Sequence, residues 1–443
     1  MDTPILDFLR RYDAEKTVRF HMPGHKGHGP VGVENWDITE VQGADALYEA
    51  DGIIAQSEAN ASALFGSGRT LYSTEGSSHC IRAMLYLAVT NRRGGASPVI
   101  VAARNVHKSF VYAAALLDLE IIWLWPEESA SLCGCPVSSE QLEQTLASLN
   151  APPAAVYLTS PDYLGGMADI AALSAVCHRY DTLLAVDNAH GAYLKFLQPS
   201  LHPLDLGADL CCDSAHKTLP VLTGGAYLHV GKNVPPVFAE HAKAAMALFG
   251  STSPSYLTLA SLDACNAWLA EECSVRLAET TAQIRQLKAA LTATGWEVIP
   301  SDPLRLTLRG AEGVSGFDLA RRLREQGMEC EYADDTYLVL MLSPGNRAEE
   351  LDRLLQVLGK NQASRRQQTM LPLARGERAV SIRQALFAPH EIVAVDEALG
   401  RICGTPMVSC PPAIPIVVSG ERIGREAMEL FHHYDVKQVD VLK

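Results

Sequence analysis

No apolar run in the sequence reaches the roughly 18 residues that a membrane-spanning helix needs. The opening residues also lack the basic start and the apolar stretch of a signal peptide. Lysine and arginine are outnumbered by acidic residues, and the formal net charge of −14 argues against nucleic acid as a partner. We therefore expect a cytoplasmic protein that binds neither a membrane nor nucleic acid.

Cysteine patterns typical of a metal site are also missing. The eleven cysteines are scattered, and the close pairs at 133/135 and 211/212 are not joined by a second pair at zinc-site spacing. We expect reduced thiols and no metal centre. With 443 residues, 48% of them hydrophobic and 20% charged, the chain is typical of a globular protein of two or three domains.

The segment Asp213–Pro220 places a lysine, Lys217, shortly after a predicted buried strand at Ala208–Cys212. Lysine is rarely buried without a partner, and desolvation favours its neutral, nucleophilic amine. Such an amine can hold a carbonyl compound as a Schiff base, as enzymes that use pyridoxal phosphate (PLP) require. The alternative for this motif alone is an exposed loop lysine.

A second apolar strand, Thr182–Val186, runs into Asp187 about thirty residues earlier. A carboxylate at a strand end can pair with the protonated nitrogen of a pyridine ring and keep that ring an electron acceptor. His190 follows three residues later, within reach of the ring's substituents or of Asp187, either as a catalytic group or as a supporting hydrogen-bonding residue.

The pattern strand-Asp-x-x-His, then strand-Ser-x-His-Lys, resembles the aspartate-aminotransferase-type fold of PLP enzymes, fold type I. The fuller wording His-Lys-Thr-Leu-Pro at 216–220 resembles the Orn/Lys/Arg decarboxylases, a family of bacterial basic amino acid decarboxylases. The loop His21–Gly27 and the segments Asp37–Glu40 and Asp51–Ile54 are similar to the opening of the short members, which lack the N-terminal wing domain of longer relatives. In such enzymes this opening segment lies across a dimer and helps to wall the active site.

Gly76, Ser77 and Ser78 precede a predicted helix that includes Cys80–Leu87. Backbone N–H groups, hydroxyls and the positive dipole end make a helix start of this kind a phosphate site, although simple serine capping is the alternative. The resemblance implies that this turn holds the PLP phosphate. It also implies that Thr252, in the 251–253 loop, reaches the phosphate of a partner subunit.

His107 follows the predicted strand Pro98–Ala103, at the sheet edge where ligands bind in open α/β folds. By itself it could be a loop histidine that caps the next helix. The resemblance implies that its imidazole covers one face of the PLP ring. Beside the lysine, the resemblance implies that Ser214 and His216 also bind the cofactor, and we expect His216 or Lys217 to return a proton to the substrate's Cα.

Strands alternate with helices over much of the chain, which predicts a parallel sheet covered on both faces. The resemblance makes this a mostly parallel, seven-stranded-type sheet in a large PLP-binding domain at 61–255. An N-terminal segment (1–60) precedes it, and a small α+β domain (256–360) and a C-terminal domain (370–443) follow. The run Ala226–Val230 comes too soon after Lys217 for a helical crossover and should lie antiparallel to the lysine strand.

Four positions depart from the family's usual wording. Asn188 stands where relatives usually carry glutamate, and Gly224 where many carry glutamine. Cys410 stands in place of the tyrosine of the family's Tyr-Pro-Pro-Gly-Ile-Pro, and Ala413 stands in place of its glycine. None of these changes touches Lys217 or Asp187, though a different residue at 224 could alter contacts with a partner subunit.

We therefore expect a homodimer or higher homo-oligomer that decarboxylates arginine, lysine or ornithine to the amine and CO2, feeding polyamine metabolism. Glu331, Asp334 and Asp335 are candidates to bind the substrate's distal cation, with a solvated acidic turn as the alternative. Two other functions stay open at this point. One is transamination or desulfuration on the same scaffold, and the other is a non-catalytic relative that binds PLP or polyamines.

Overall fold

A computed structural model describes residues 1–91, 98–126, 131–359, 373–408 and 412–443. The predicted linker at 359–369, apart from Gly359, and the departure at Cys410 lie outside the described residues. Within the described ranges, no helix combines the length and the apolar character needed to cross a bilayer.

The strands are β1 (Arg69–Ser73), β2 (Val99–Ala103), β3 (Glu120–Leu124), β4 (Ala155–Thr159), β5 (Leu183–Asp187), β6 (Leu210–Asp213), β7 (Ala226–Val230), β8 (Glu297–Ile299), β9 (Arg305–Arg309), β10 (Tyr332–Ala333), β11 (Tyr337–Met341), β12 (His390–Ala394), β13 (Met407–Val408), β14 (Pro415–Val417) and β15 (Gln438–Leu442). The helices are α1 (Pro4–Ala14), α2 (Ile53–Phe65), α3 (Ser77–Thr90), α4 (Lys108–Leu116), α5 (Ser139–Ala147), α6 (Ile170–Arg179), α7 (Ala215–Thr218), α8 (Pro236–Phe249), α9 (Tyr256–Glu271), α10 (Cys273–Ala293), α11 (Gly316–Glu325), α12 (Ala348–Leu358), α13 (Ile382–Phe387) and α14 (Arg425–His433).

The main sheet is mixed but mostly parallel, with its seven strands in the order β1-β7-β6-β5-β4-β2-β3. Strand β7 is antiparallel to both β1 and β6, so the prediction that Ala226–Val230 opposes the lysine strand is confirmed. Strands β5 and β6 run parallel, as do β2 with β3 and β2 with β4. The α/β fold class and the mostly parallel sheet predicted from the sequence are therefore correct.

Packing divides the chain into two compact units, residues 1–94 with 170–277 and residues 95–169 with 278–443. The four-part division predicted from the sequence stays a prediction. Strands β5 and β6 of the first unit are almost continuously apolar and buried, as expected for strands covered on both faces. Their polar residues are confined to the carboxyl ends, which is where this fold places ligands.

A buried carboxylate holds helix α1 against the rest of the first unit. One oxygen of Asp263 in α9 accepts hydrogen bonds from the backbone N–H groups of Ile5 and Leu6, at 2.8 and 3.0 Å. Its other oxygen accepts a hydrogen bond from Ser57 in α2 at 2.5 Å. These bonds satisfy helix N–H groups that have no partner within their own helix.

The second unit contains a four-stranded antiparallel sheet in the order β10-β11-β9-β8, together with the small pairs β12-β15 and β13-β14. Helix α11 begins with a capping box in which Ser315 and Asp318 each bond to the other's backbone N–H.

Candidate active site

Lys217 lies in the short helix α7, four residues beyond the end of β6. Its Nζ is 2.9 Å from Nε2 of His190, which follows β5. His190 is 5% exposed, so this nitrogen-to-nitrogen contact is largely shielded from water. From the sequence, the partners considered for His190 were the ring's substituents and Asp187. In the structure, its imidazole contacts the amine of Lys217.

Asp187 is the last residue of β5 and is buried. Its Oδ1 accepts hydrogen bonds from the N–H of Ala189 at 3.2 Å and from the thiol of Cys212 at 3.7 Å. Cys212 is also its register partner on the parallel strand β6. A carboxylate held in this way on a sheet edge suits the pairing with a protonated pyridine nitrogen that the sequence predicts.

The Gly76–Ser78 turn is built around a backbone conformation that requires glycine. Gly76 has φ +71° and ψ 179°, a combination accessible to essentially no other residue. Because it is the N-cap residue of α3 and has no side chain, it leaves the helix start open to an external anion. The hydroxyl of Ser214 donates to Oγ of Ser77 at 2.8 Å, which joins the turn to the lysine segment.

Buried groups behind this turn hold it in place. The Oγ of Ser73 lies 2.9 Å from Nδ1 of His79, and Nε2 of His79 lies 2.7 Å from the carbonyl oxygen of Met246. The N–H of Gly76 donates to the carbonyl of Gly224 at 2.8 Å. Since that N–H is already used, an incoming phosphate would meet the N–H groups and hydroxyls that follow it.

His216 is held by the carbonyl of Gly225, which accepts from both its backbone N–H at 3.1 Å and its Nδ1 at 2.9 Å. Burial lowers the pKa of His216, more than the bond to Gly225 raises it, so the ring is neutral at pH 7. A neutral ring that donates through Nδ1 can only accept at Nε2. His216 is thus suited to accept a hydrogen bond near the Gly76 turn and less suited to deliver a proton.

The chemistry of this donor set fits PLP. The first unit supplies an amine for an aldehyde, a buried carboxylate for a pyridinium, and an open helix start with hydroxyls for a phosphate. Lys217, Asp187 and the Gly76–Ser78 turn are the groups that would hold the cofactor.

Thr252 is exposed, and no described contact joins it to the Gly76–Ser78 turn. The neighbouring Ser251 donates its backbone N–H to the carboxylate of Glu75 at 2.6 Å within the same chain. The predicted role of Thr252 toward a partner's phosphate therefore stays a prediction.

His107 belongs to the second unit and is the N-cap of α4. Its Nδ1 accepts the backbone N–H of Ser109 at 3.2 Å and lies 2.9 Å from the Ser109 hydroxyl. The capping function considered from the sequence is therefore present. Stacking on the PLP ring is compatible with this contact, because the cap uses only the ring's edge, and it stays a prediction.

The acidic residues proposed for the substrate's distal cation have different environments. Asp334 is buried and accepts hydrogen bonds from the N–H groups of Thr336 and Tyr337, at 2.7 and 2.6 Å, and from the hydroxyl of Tyr332 at 2.7 Å. It forms a turn, but the turn is buried and not solvated as the alternative interpretation held. Glu331 is exposed and accepts a hydrogen bond from the hydroxyl of Tyr163 at 2.7 Å.

Two departures from the family wording have visible local effects: Gly224 suits the backbone of its loop, whereas Ala413 is strained. Gly224 has φ +95°, and a Cβ there would approach the carbonyl oxygen of Thr74 to 2.6 Å, so glycine allows the loop to close on its own chain's Gly76 turn. Ala413 has φ +58°, a conformation that glycine adopts without strain and alanine does not.

A cluster of buried polar residues lies behind the site and was not predicted from the sequence. Asp213, Asn188, His202 and His229, here called the Asp213 network, are all fully buried in the first unit. By spacing, His202, Cys211 and Asp213 could also hold a metal ion, but a metal there would have to displace the hydrogen bond between His202 and Asp213. The available signal was an aspartate at the end of an otherwise apolar strand.

Comparison with known proteins agrees with the site. The family model of the Orn/Lys/Arg decarboxylase major domain matches residues 3–307, and that of the C-terminal domain matches residues 362–438. Bacillus subtilis arginine decarboxylase is 29% identical over 96% of this chain and 92% of its own length. The uncharacterized B. subtilis protein YaaO is also 29% identical, over 97% and 93%. The Francisella novicida lysine decarboxylase LdcF has the same fold, with a TM-score of 0.82 and 17% identity over 100% of this chain and 81% of that one.

The fold and the lysine, carboxylate and phosphate-turn constellation define a PLP-dependent enzyme of fold type I. The chain belongs to the Orn/Lys/Arg decarboxylase family. It is a PLP-dependent amino acid decarboxylase, as the sequence predicted, and the family match disfavours the transaminase and desulfurase alternatives.

Proposed function

We propose that the protein removes the α-carboxylate of a basic amino acid, with arginine as the first candidate, and releases CO2 and the corresponding amine to polyamine metabolism in the cytoplasm. The observation that carries the proposal is the contact between Lys217 and His190 within one unit that also holds Asp187 and the Gly76–Ser78 turn. Arginine is placed first because the relatives called arginine decarboxylase match this chain along nearly its whole length.

PLP, when bound, supplies the electron sink that stabilises the negative charge left on Cα as CO2 departs. Asp187 keeps the pyridine nitrogen protonated, and the turn before α3 binds the phosphate through N–H groups and hydroxyls. Lys217 would hold the cofactor's aldehyde through its amine. The resemblance implies that His107 would cover one face of the ring.

Proton return to Cα falls to Lys217 rather than to His216. The lysine amine is 2.9 Å from His190, which can supply or remove a proton as the lysine changes its protonation state. His216 is neutral at pH 7 and donates through Nδ1 to a backbone carbonyl, so it has no proton on the remaining nitrogen to give. Its neutral ring instead supports the phosphate side of the site.

Glu331 and Asp335 remain candidates for the substrate's distal cation, and Glu331 is the first to test. It is exposed, negatively charged and oriented by Tyr163. Asp334 is excluded from that role by its three hydrogen bonds within the turn.

The test is CO2 release from arginine, lysine, ornithine and the uncharged analogue norleucine. We expect one basic amino acid to be preferred over norleucine by about tenfold or more in kcat/KM, because the carboxylate of Glu331 stabilises a charged distal group that norleucine lacks. Glu331→Gln should reduce that preference, whereas Glu325→Gln, the same change at another exposed residue of the same unit, serves as the control. PLP binding without CO2 release from any amino acid would favour the non-catalytic relative and overturn the proposal.

A second part of the proposal is a homodimer with shared active sites. The segment 17–33 of the first unit exposes several large apolar side chains, among them Phe20 at 94%, Val31 at 75%, Val18 at 73% and Met22 at 69% of their surface. Apolar side chains grouped this closely on a surface are typical of an interface. Since this segment resembles the family's dimer-spanning opening, a second copy of the chain is the expected partner.

Subunit mixing tests the shared site. Lys217→Ala and Thr252→Glu subunits should each be inactive alone, the second because a carboxylate would repel the partner's phosphate. Hybrid dimers then contain one intact site, so mixing under exchange conditions should restore up to about a quarter of wild-type activity, given random assortment into two-fold dimers.

A matched mixture of Lys217→Ala with Asp187→Asn should restore nothing, because both residues belong to the same unit of one chain. If the Thr252→Glu mixture also restores nothing after exchange, or if the active species is a monomer, then each site is made by a single chain.

A further inference from the structure

The Asp213 network surrounds one buried carboxylate with three side-chain N–H donors, and the thiol of Cys211 also donates to its Oδ1 at 3.7 Å. Asn188 Nδ2 donates to Oδ1 of Asp213 at 2.7 Å. Nε2 of His202 and Nε2 of His229 lie 3.0 and 3.1 Å from its Oδ2. All four side chains have 0% of their surface exposed, so water does not contribute to satisfying them.

Proton accounting shows that the carboxylate is the acceptor in each of these bonds. The N–H of Leu204 donates to Nδ1 of His202 at 3.3 Å, which leaves the proton of that ring on Nε2, facing Asp213. Burial alone would raise the pKa of Asp213, but the electrostatic interaction and hydrogen bond with His202, followed by the hydrogen bond of His229, hold it well below its usual value. Asp213 is therefore an anion at neutral pH.

This anion lies between two strand ends that carry the active site. Asn188 directly follows Asp187 at the end of β5, and Ser214 directly follows Asp213 at the end of β6. The two strands are parallel, with Asp187 opposite Cys212. Ser214 in turn donates to Ser77 in the turn assigned to the phosphate.

We propose that Asp213 is a positioning residue that fixes the carboxyl ends of β5 and β6 for PLP. Through Asn188 it orients Asp187 toward the pyridine nitrogen, and through Ser214 it orients the Gly76–Ser78 turn. His202 and His229 are its anchors on the opposite side. This inference rests on the proposed use of Asp187 and the turn as cofactor contacts, and it adds residues that touch neither substrate nor cofactor.

The departure at Asn188 fits this assignment. A glutamate at 188, the residue usual in relatives, would direct a second carboxylate toward Asp213 in a site without water, which is strongly unfavourable. An amide instead offers a donor. Asn188 and Asp213 thus form a matched amide–carboxylate pair. Exchanging the asparagine and the aspartate between the two positions tests this pairing directly.

The experiment measures the PLP dissociation constant of protein stripped of cofactor, by absorbance titration, for three variants. Asp213→Asn leaves two amides facing each other, and Asn188→Asp leaves two carboxylates. We expect each to raise the dissociation constant about tenfold or more, since Asp213→Asn removes the charge to which the two imidazoles bond and Asn188→Asp sets two buried carboxylates against each other. The isosteric double variant restores one donor and one acceptor and should return to within about threefold of wild type.

Circular dichroism and the thermal midpoint of the stripped proteins separate positioning from folding. If single variants melt earlier but bind PLP as tightly as wild type, the network is only structural and the proposal is wrong. Should both singles fail to fold, Asn188→Ala keeps the two histidine contacts of Asp213 and removes only its link to β5. Wild-type PLP affinity in that variant would equally overturn the proposal.

Two further results are informative. Stoichiometric zinc in the purified protein, lost on Asp213→Asn, would replace the hydrogen-bonded assignment by a metal site. Failure of the proposed function is distinguishable, because wild type itself would then release no CO2, whereas failure of the positioning role leaves wild type active and the variants unaffected in PLP binding.

Discussion

Lys217→Ala is expected to lower kcat/KM by on the order of 10⁴-fold or more, because the reaction loses both its covalent attachment point and its proton carrier. The amine of Lys217 contacts His190, and alanine provides neither the bond to PLP nor that contact. The visible absorbance of lysine-bound PLP should vanish together with turnover. The fold should persist, since the side chain is only partly buried at the end of a four-residue helix.

Two measurements make this prediction specific. Borohydride reduction of the wild-type protein with PLP, followed by peptide mass spectrometry, should place the pyridoxyl group on Lys217. Lys232→Ala alters an exposed lysine of the same unit and should leave absorbance and turnover unchanged. A pyridoxyl group found on another lysine, or turnover near the wild-type rate in Lys217→Ala, would contradict the assignment.

Local patterns were sufficient to predict the strand ends that carry the chemistry. An apolar run that stops at a polar residue is readable within a few positions, and β5 does stop at Asp187. The direction of β7 followed from the length of its connection alone.

Partnerships across the sheet could not be read in this way. Asp213 pairs with His202, eleven residues earlier, and with His229, sixteen residues later, from a loop and a strand respectively. Nothing in the spacing of these residues distinguishes them from buried core positions, because their meeting depends on the order of β6 and β7 in the sheet. The contact between Lys217 and His190 depends on strand order in the same way.

Side chains that bond to nearby backbone groups are a second case in which the sequence left more than one interpretation open. Asp334 was grouped with substrate-binding candidates, although an aspartate two and three residues before Thr336 and Tyr337 is a common way to close a turn. His107 similarly caps α4 by accepting the N–H two residues later. Short-range hydrogen bonding therefore has to be considered before a polar residue is assigned to a ligand.

Asp187→Asn is expected to lower kcat by on the order of 10³-fold, because a neutral amide no longer stabilises the positive charge on the pyridine nitrogen. The replacement is nearly isosteric, and an asparagine oxygen can still accept the bonds from Ala189 and Cys212 that Asp187 accepts. The loss should therefore fall on the chemical step, with little change in the thermal midpoint. Nitrogen NMR of isotope-labelled PLP should show a ring nitrogen that is protonated in wild type and unprotonated in the variant.

Asp181→Asn is the matched control, since it makes the same chemical change at an exposed residue just before the other end of β5. It should leave both kcat and the nitrogen resonance as in wild type. Because Asn188 adjoins Asp187 and is held by Asp213, the two effects can also be compared. Asp187→Asn should change the protonation of the ring, whereas Asp213→Asn should chiefly weaken PLP binding. A loss below about tenfold in Asp187→Asn, with the ring nitrogen still protonated, would mean that another group faces the pyridine nitrogen.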